Sequence, residues 1–151
     1  MQAATTIDLG VELVRLGRIS AKLAPPITVG ATPTGTRLVI EVSDAKFEGD
    51  RLNAHQKGAA AADWLTVSPD GQVGTLDVRC TMETDDGAIV FFHYSGRSDF
   101  SKGPGTAPIY TAPQCDTGDE RYAWLNKVQA VAKGRIAPDM SWIEYEVYEL
   151  R

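Results

Sequence analysis

The sequence TLDVRCTMETDDGAIVFFHY, residues 75–94, decides the fold, because it holds two alternating runs joined by a tight turn. In the first run Val78, Cys80 and Met82 alternate with polar side chains, which is typical of a strand with one buried face. The DDG sequence at 85–87 places glycine where a hairpin turn requires positive φ. We therefore predict a β-hairpin whose strands are residues 75–84 and 88–94.

Other short runs of apolar and β-branched residues flank this hairpin, each bounded by turn residues. SPDG at residues 68–71 carries the signature of a type I turn. Short helical turns are predicted at 58–62 and 119–124, the second with Asp119 among its candidate caps. This spacing is typical of an all-β barrel or sandwich. The further predicted strands are residues 19–23, 37–43, 51–54, 64–67 and 142–148.

Residues 95–114 are rich in glycine and proline, which a regular central strand does not tolerate. We predict a long loop over this segment. Loops of this length in compact domains are either binding loops or plain solvent-exposed connections, and the sequence leaves both open. The residues concerned are Gly96, Gly103, Pro104, Gly105, Pro108 and Pro113.

Length and composition fit one globular domain. The chain has 151 residues, of which 43% are hydrophobic and 23% are charged, close to the values of ordinary folded proteins. We predict a single domain over residues 1–151, with residues 1–25 as an N-terminal strand or extension.

The charge balance and the start of the chain bear on partners and location. Twenty acidic and fifteen basic residues give a formal charge of -5, and the basic residues are scattered, so nucleic acid is not an expected partner. No apolar run approaches the roughly 18 residues of a membrane span. Residues 1–17 lack the basic and apolar regions of a signal peptide. We therefore predict a cytoplasmic protein with no membrane partner.

Several kinds of site lack their motifs in this sequence. The two histidines, His55 and His93, form no HxH or HExxH pattern, and Cys80 and Cys115 form no CxxC, so no metal is expected. The same spacing gives no reason to expect a disulfide. No GxGxxG, GxxxxGKS/T or GxSxG sequence is present, so no cofactor is expected and no nucleophile is indicated.

Polar side chains on strand-like segments are the remaining candidates for a site. Asp63 stands beside Trp64, and Asp77 and Arg79 lie two residues apart on one strand face. An acid and a base inside a barrel must pair or shift their pKa values, and such groups can hold or protonate a polar ligand atom. The alternative is a structural ion pair, with the aromatic residues as core. His93, Tyr94 and residues 121–126 complete the candidates.

A series of short motifs occurs in a fixed order along the chain, from about residue 26 to the C-terminus. They are FEG (47–49), ADW (62–64), LDVR (76–79), ETDDGA (83–88), RYAWLN (121–126) and YEVYE (145–149). The ordered set is far more specific than any one motif, and with it the chain resembles the DUF3237 (UPF0311) family.

The resemblance implies a single antiparallel β-barrel of calycin-like proportions with a central cavity. It also implies cofactor-independent transformation of small, often phenolic or otherwise conjugated, metabolites, although fold alone does not define function. The positions that match the polar residues of the family's motifs are Glu48, Asp63, Asp77, Arg79, Tyr122, Trp124 and Asn126.

The chain departs from the pattern of the family at three places. Asp44-Ala45 replaces a pair of glycines before FEG, which adds a carboxylate and removes backbone freedom. A segment containing His55 replaces a glycine-rich approach to ADW, and FFHY at 91–94 replaces more polar and branched residues. These departures predict a specialised pocket that involves Asp44, His55, His93 and Tyr94.

The residues and the family resemblance together suggest a cofactor-free enzyme, of lyase, cyclase, isomerase or cofactor-free oxygenase type. The resemblance implies a small phenolic or conjugated hydrophobic metabolite as its substrate. Asp63 or His93 is the predicted general base. Arg79 and Tyr122 are predicted to bind the phenolate or enolate oxygen that develops during reaction. The predicted ligand-binding residues are Asp44, Glu48, His55, Trp64, Asp77, Tyr94, Trp124 and Asn126.

The sequence is also compatible with two other functions. A non-catalytic carrier would use an apolar barrel with a few orienting polar groups. An interaction protein would use an exposed strand edge, and for the same reason a homodimer is an alternative to a monomer.

Overall fold

The computed structural model describes residues 9–151, and most of this range is β-strand. The prediction that a signal peptide is absent rests partly on residues 1–8, which lie outside the described residues. One 3-10 helix, Glu120–Lys127, interrupts the strands of the described range. The strands are Leu13–Leu23 (β1), Ile27–Thr32 (β2), Gly35–Glu48 (β3), Asn53–Gln56 (β4), Ala62–Val67 (β5), Val73–Thr84 (β6), Ile89–Asp99 (β7), Ile109–Thr111 (β8), Gln114–Asp116 (β9), Ala130–Ile136 (β10) and Trp142–Leu150 (β11).

Within residues 9–151, eight strands close into an antiparallel barrel. β3 pairs with β1 and β5, and β6 pairs with β5 and β7, so the ladder continues around the wall. The order around the barrel is β3-β1-β11-β10-β8-β7-β6-β5. β4 bridges β3 and β6, β9 lies beside β7, and β2 extends the edge of β3. The predicted all-β barrel is confirmed.

The hairpin predicted from residues 75–94 is formed by β6 and β7. The two strands pair without a register shift from Val73 opposite Asp99 to Glu83 opposite Ile89. Gly87 has a φ of 92° and its N–H donates to the Thr84 carbonyl at 3.0 Å, as the turn prediction required. The inward residues of β6 are the apolar ones predicted by the alternation, because they join the hydrophobic core.

A chain of aromatic rings runs through the barrel interior. Phe47 contacts Phe92 edge to face with centroids 6.4 Å apart, and Phe92 contacts Tyr94 in the same way at 5.8 Å. Tyr94 then contacts Tyr145 at 5.3 Å. Such pairs contribute about 0.5–1.5 kcal/mol each beyond the burial of their area, so this chain of rings helps to join β3, β7 and β11.

The 3-10 helix covers the end of the barrel nearest the β6–β7 turn. Asp119 caps the helix by accepting a hydrogen bond from the Arg121 N–H at 2.9 Å, so the helical turn predicted at 119–124 and its cap are confirmed. Leu125, 1% exposed, inserts into the core. No helix in residues 9–151 has the length and apolar character needed to cross a bilayer.

The helical turn predicted at 58–62 is wrong. Residues 58–59 form a bend, in which Gly58 has a φ of 75°, residues 60–61 have no regular structure, and Ala62 already belongs to β5. The backbone of Ala62 pairs with β3 and β6, and this ladder outweighs the helix propensity of the alanine run.

The loop predicted at 95–114 is shorter than expected. β7 continues to Asp99, and β8 and β9 occupy two further parts of the segment, which leaves 100–108 as the loop. Gly96 does not break β7, because its missing side chain lets the backbone of Tyr110 in β8 approach closely.

Strands β2 and β10 were not predicted, and β1 is longer than predicted. The sequence of β10, AVAKGRI, shows little alternation because its inward positions hold small residues. At Gly134 an added Cβ would clash with the ring of Tyr145 and the backbone of Glu144. The small residues of β10 therefore make room for a large residue on β11, which the local pattern does not reveal.

Candidate functional site

An apolar cavity lies inside the barrel at the end opposite the 3-10 helix. Phe100 and Pro104 from the loop 100–108, and Met140 from the β10–β11 turn, contribute to its lining. The cavity encloses little free space, since its empty volume of about 820 Å³ includes the open space at its mouth. Because its walls are almost entirely apolar, a molecule that enters this space must itself be small and largely apolar.

Asp63 is the one carboxyl group that lines this cavity among the described residues. It lies on β5 in a row of paired residues, with Val78 beside it on β6 and Tyr94 next on β7. Its side chain Oδ1 accepts a hydrogen bond from the Asp77 N–H at 3.0 Å. Burial raises the pKa of Asp63 to about 6, an effect that this hydrogen bond opposes and the nearby Asp77 carboxylate reinforces. The sequence-based prediction placed Asp63 in the site, and the structure places it in the cavity.

Tyr94 and Tyr145 bring two hydroxyl groups into the interior near Asp63. Tyr94 lines the cavity, and Tyr145 packs behind it. Burial, with a further contribution from the Asp63 carboxylate, raises the pKa of both phenols, so both are neutral donors at physiological pH.

The hydroxyl of Tyr145 is buried without a hydrogen-bond partner among the described residues. The Tyr94 and Tyr145 hydroxyls do not meet hydrogen-bonding geometry, although each lies close enough to act on the pKa of the other. Tyr145 was not among the predicted site residues. The alternation of β11, which turns Ile143, Tyr145 and Val147 inward, was the signal that could have identified it.

Arg79, Asp77 and Trp64 lie together on the outer wall of the barrel. The Arg79 guanidinium is 3.4 Å from the Asp77 carboxylate and lies 5.4 Å from the centroid of the Trp64 ring. The Arg79 and Asp77 side chains are more than half exposed. The expectation that Asp77 and Arg79 share a strand face is met, but the face points to solvent, so their positions do not support contact with a ligand in the cavity.

Both histidines also lie outside the barrel. His93 stacks on Phe91 at 5.4 Å and its Nε2 is 3.7 Å from the Asp116 carboxylate. His55 Nε2 is 3.7 Å from the carboxylate of Glu83. His93 and Tyr94 are adjacent in one strand and so point to opposite faces, which leaves Tyr94 inside and His93 outside.

Asp44 and Glu48 are exposed residues of β3. Asp44 has a φ of 50° and lies at an irregularity where β3 carries one residue more than β1, and its carboxylate is 3.2 Å from Lys22 Nζ. Asp44 and His55 line the same open groove, whereas Glu48 lies outside both that groove and the cavity. The groove adjoins the cavity, because both are lined by Ala21, Val42, Ala45 and Ile143. The two departures from the family's pattern at Asp44 and His55 therefore meet on the surface.

The predicted residues of the RYAWLN motif hold the helical end of the barrel. The Tyr122 hydroxyl donates to the Asp86 carboxylate at 2.8 Å. The side-chain amide of Asn126 accepts a hydrogen bond from the Thr117 N–H and donates one to the Thr117 carbonyl. The Arg51 guanidinium lies 4.4 Å from the centroid of the Trp124 ring. None of Tyr122, Trp124 and Asn126 lines the cavity described for residues 9–151, and their contacts are structural.

The structure shows no ligand set for a metal within residues 9–151, where no three His, Cys, Asp or Glu side chains converge. Cys80 and Cys115 are both free and buried. Burial raises the pKa of Cys80 to about 11 and that of Cys115 to about 12, so neither thiol is ionised near neutral pH.

Comparison with known families identifies the chain from nearly its whole length. The family model described as "Protein of unknown function (DUF3237)" matches residues 11–150. The chain belongs to the DUF3237 family. The DUF3237 chain is 29% identical to the UPF0311 protein blr7842 of Bradyrhizobium diazoefficiens over 119 residues, 71% of this chain and 76% of the relative. The UPF0311 protein RPA1785 of Rhodopseudomonas palustris is 27% identical over an alignment of the same length.

Solved structures share the barrel with this DUF3237 chain. A β-barrel-like protein, ABAYE2633 of Acinetobacter baumannii AYE, superimposes with a TM-score of 0.84 at 25% identity, over 97% of this chain and 100% of that one. RPA1785 superimposes with a TM-score of 0.84 at 20% identity, over 95% and 100% of the two chains. An enzyme from Penicillium herquei superimposes with a TM-score of 0.65 at 19% identity, over 99% and 100%, and shares the fold alone.

The sequence motifs that carry the family resemblance divide between two places in this DUF3237 barrel. RYAWLN and TDDGA meet at the helical end, where Arg121 donates to the Asp86 carbonyl at 2.9 Å. In the ADW motif, Asp63 turns into the cavity while Trp64 remains on the wall. Asp63 is thus the polar motif residue that the fold aims at a space where a ligand can lie.

Proposed function

We propose that this chain binds a small phenolic or otherwise conjugated hydrophobic molecule in the barrel cavity and performs cofactor-independent acid/base chemistry on it. The proposal rests on one observation, a buried carboxyl group in a cavity whose other lining is almost entirely apolar. Asp63 is the proposed general acid or base. Tyr94 is the proposed hydrogen-bond donor to the substrate oxygen.

The environment of Asp63 supports this role. A catalytic acid or base works best when its pKa lies near the working pH, and burial brings the pKa of Asp63 to about 6. Proton transfer by a positioned group contributes about 10² to 10⁴ in rate. A donor such as the Tyr94 hydroxyl, aimed at developing oxygen charge, contributes up to about 10² to 10³ more.

The catalytic assignment differs from the sequence-based hypothesis at three residues. His93 was the alternative base, but it lies outside the barrel with Phe91. Arg79 and Tyr122 were the predicted oxygen-binding groups, but Arg79 is on the outer wall and Tyr122 bonds Asp86. The proposal therefore transfers oxygen binding to Tyr94, which was predicted as a ligand-binding residue.

The structurally similar protein from Penicillium herquei is described as an enzyme, so the barrel architecture is compatible with catalysis. That likeness is one of fold, and fold does not specify a reaction. The substrate class and the reaction type are therefore proposed from the cavity and from the family resemblance of the sequence.

A non-catalytic carrier is the second candidate, and the hydrogen bond of Asp63 favours it. Asp63 Oδ1 accepts from the Asp77 N–H, so this carboxyl group could serve to complete the sheet rather than to move a proton. An apolar cavity with few polar groups is typical of ligand-binding barrels as well as of enzymes.

A thermal-shift screen with phenols, alkenylphenols, aromatic acids and flat polyketide-like compounds tests binding. A ligand at a hundred times its Kd stabilises by about 2.7 kcal/mol, which raises the Tm of a domain of this size by roughly 5 to 10 °C. Compounds that bind are then assayed for chemical change with the wild type and with Asp63→Asn. The catalytic proposal expects turnover that Asp63→Asn abolishes while binding persists; ligands recovered unchanged would favour the carrier.

Arg79→Ala is the matched control for this experiment, because Arg79 is a charged residue on the outer wall, one strand away from Asp63. We expect Arg79→Ala to turn over substrate at the wild-type rate. The cytoplasmic location, the lack of nucleic-acid or membrane partners and a homodimer remain predictions from the sequence.

A further inference from the structure

The charges around the cavity are distributed unequally between its inside and its outside. Among the described residues that line it, Asp63 is the sole side chain that ionises near neutral pH, and no Lys, Arg or His is present. The cation closest to Asp63 in the ladder, Arg79, is directed to solvent and pairs with Asp77. The cavity thus contains an acid and no counter-charge.

This distribution acts against anionic ligands. An anion that enters an apolar space loses its hydration and is stable there only if it gains a partner of opposite charge or several donors. Here it would gain no cation and would lie near the Asp63 carboxyl group. A carboxylate should therefore bind much more weakly than an uncharged molecule of the same shape.

The second carboxyl oxygen of Asp63 sets a further requirement on the ligand, because it is free to accept a hydrogen bond. Oδ1 is occupied by the Asp77 N–H, whereas Oδ2 makes no hydrogen bond within residues 9–151. Asp63 and Tyr94 stand on either side of Val78, two strands apart, which corresponds to about 10 Å between their backbones. A molecule lying across Val78 can reach the acid with one end and the phenol with another polar atom.

We infer that the cavity selects uncharged ligands that offer a hydrogen-bond donor to Asp63, and that it rejects carboxylates of the same size and shape. The inference rests on the proposed function, since it requires the cavity to be the binding site. It states which charge and polarity a ligand must have in order to bind, and this requirement is independent of catalysis.

Three nearly isosteric probes separate these effects: naphthalene-2-carboxamide, naphthalene-2-carboxylate and 2-acetylnaphthalene. The carboxamide is neutral and donates, the ketone is neutral and only accepts, and the carboxylate is an anion. Isothermal titration calorimetry at pH 7 with the full chain should give a Kd for the carboxamide at least about tenfold below that of the carboxylate. The ketone should bind with intermediate affinity.

Asp63→Asn supplies the matched variant, because the new amide can keep its oxygen on the Asp77 N–H and present an NH₂ group where Oδ2 was. We expect this variant to lose the preference for the carboxamide over the ketone and to bind the carboxylate several-fold more tightly than the wild type does. Arg79→Ala should leave all three dissociation constants within twofold of the wild-type values.

The outcomes distinguish this inference from the proposed function. Wild-type protein that binds the carboxylate as tightly as the carboxamide would overturn the charge selection and leave cavity binding intact. Failure of all three probes to bind at millimolar concentration would overturn the proposed binding site, and this inference with it. The wild-type comparison decides the question even if Asp63→Asn does not fold.

Discussion

Asp63 Oδ1 lies 3.0 Å from the backbone nitrogen of Asp77 and accepts its hydrogen bond from inside the barrel wall. The β5–β6 ladder pairs Asp63 with Val78 and resumes at Thr66 opposite Thr75, and between these points the side chain of Asp63 takes the place of a backbone acceptor. The same carboxyl group therefore completes the sheet with one oxygen and faces the cavity with the other. This dual position allows its charge and its hydrogen bond to be tested separately.

The first prediction concerns the pH dependence of stability, because the pKa of Asp63 rises from 3.8 to about 6 on folding. Between these values the unfolded chain has released a proton that the folded protein still holds. The free energy of unfolding should therefore fall as the pH rises from about 4 to 6, by up to about 3 kcal/mol from this group.

Asp63→Asn removes this contribution while it keeps an acceptor for the Asp77 N–H. Relative to the wild type, the variant should gain up to about 3 kcal/mol between pH 4 and pH 7, measured by urea unfolding at each pH. Parallel stability curves for the two proteins across this range would contradict the raised pKa of Asp63.

The second prediction concerns the buried hydroxyl of Tyr145. A buried polar group without a hydrogen bond costs about 1–3 kcal/mol, so Tyr145→Phe should raise the free energy of unfolding by about 1 kcal/mol. Tyr148→Phe, on the same strand but facing outward, is the control and should change stability by less than about 0.5 kcal/mol. A clear loss of stability in Tyr145→Phe would mean that the hydroxyl has a partner in solution.

The third prediction separates the helical end of the barrel from the cavity. Leu125 is 1% exposed, so Leu125→Ala should cost about 3 kcal/mol of stability by leaving a hole in the core. Lys127→Ala, an exposed position in the same helix, should be nearly neutral. Because Leu125 does not line the cavity, ligand affinity measured on the folded fraction should not change; a large loss of affinity would show that the two ends are coupled.

The fourth prediction concerns the cavity mouth, where the ring of Phe100 packs over Gly74. A Cβ at Gly74 would lie 2.5 Å from the tip of that ring, so Gly74→Ala must displace the Phe100 ring from its present position in the cavity lining. We expect a loss of about 1–2 kcal/mol in stability and a changed rate of ligand dissociation in stopped-flow measurements.

Gly118→Ala is the control for this change, because a Cβ at Gly118 meets no atom within 4 Å. It should alter neither stability nor dissociation. Unchanged dissociation in Gly74→Ala, with the expected loss of stability, would show that Phe100 does not retain the ligand.

The alternation of apolar and polar residues in β6 already predicts which face of the strand carries Arg79, although the hypothesis for the site did not use it. Val78 and Cys80 are apolar and must face the core, so the intervening Arg79 must face solvent. The same rule separates His93 from Tyr94. The hypothesis of a catalytic Arg79 treated the polar residues of the sequence motifs as one site. The geometry of the strands places most of these residues on the wall of the barrel instead.

The sequence alone determined the β-hairpin, the turn at Gly87, the all-β class and the candidacy of Asp63, because these depend on patterns within short segments or single motifs. The choice of a barrel over a sandwich came from the ordered set of motifs that resembles the family. The tertiary structure alone decided that Asp63, Tyr94 and Tyr145 lie close together. They come from β5, β7 and β11, and a period of two indicates which residues share a face but not which strands become neighbours. Which strands become neighbours is decided when the barrel closes, because each strand must then form hydrogen bonds with the backbone groups of both neighbours in one register.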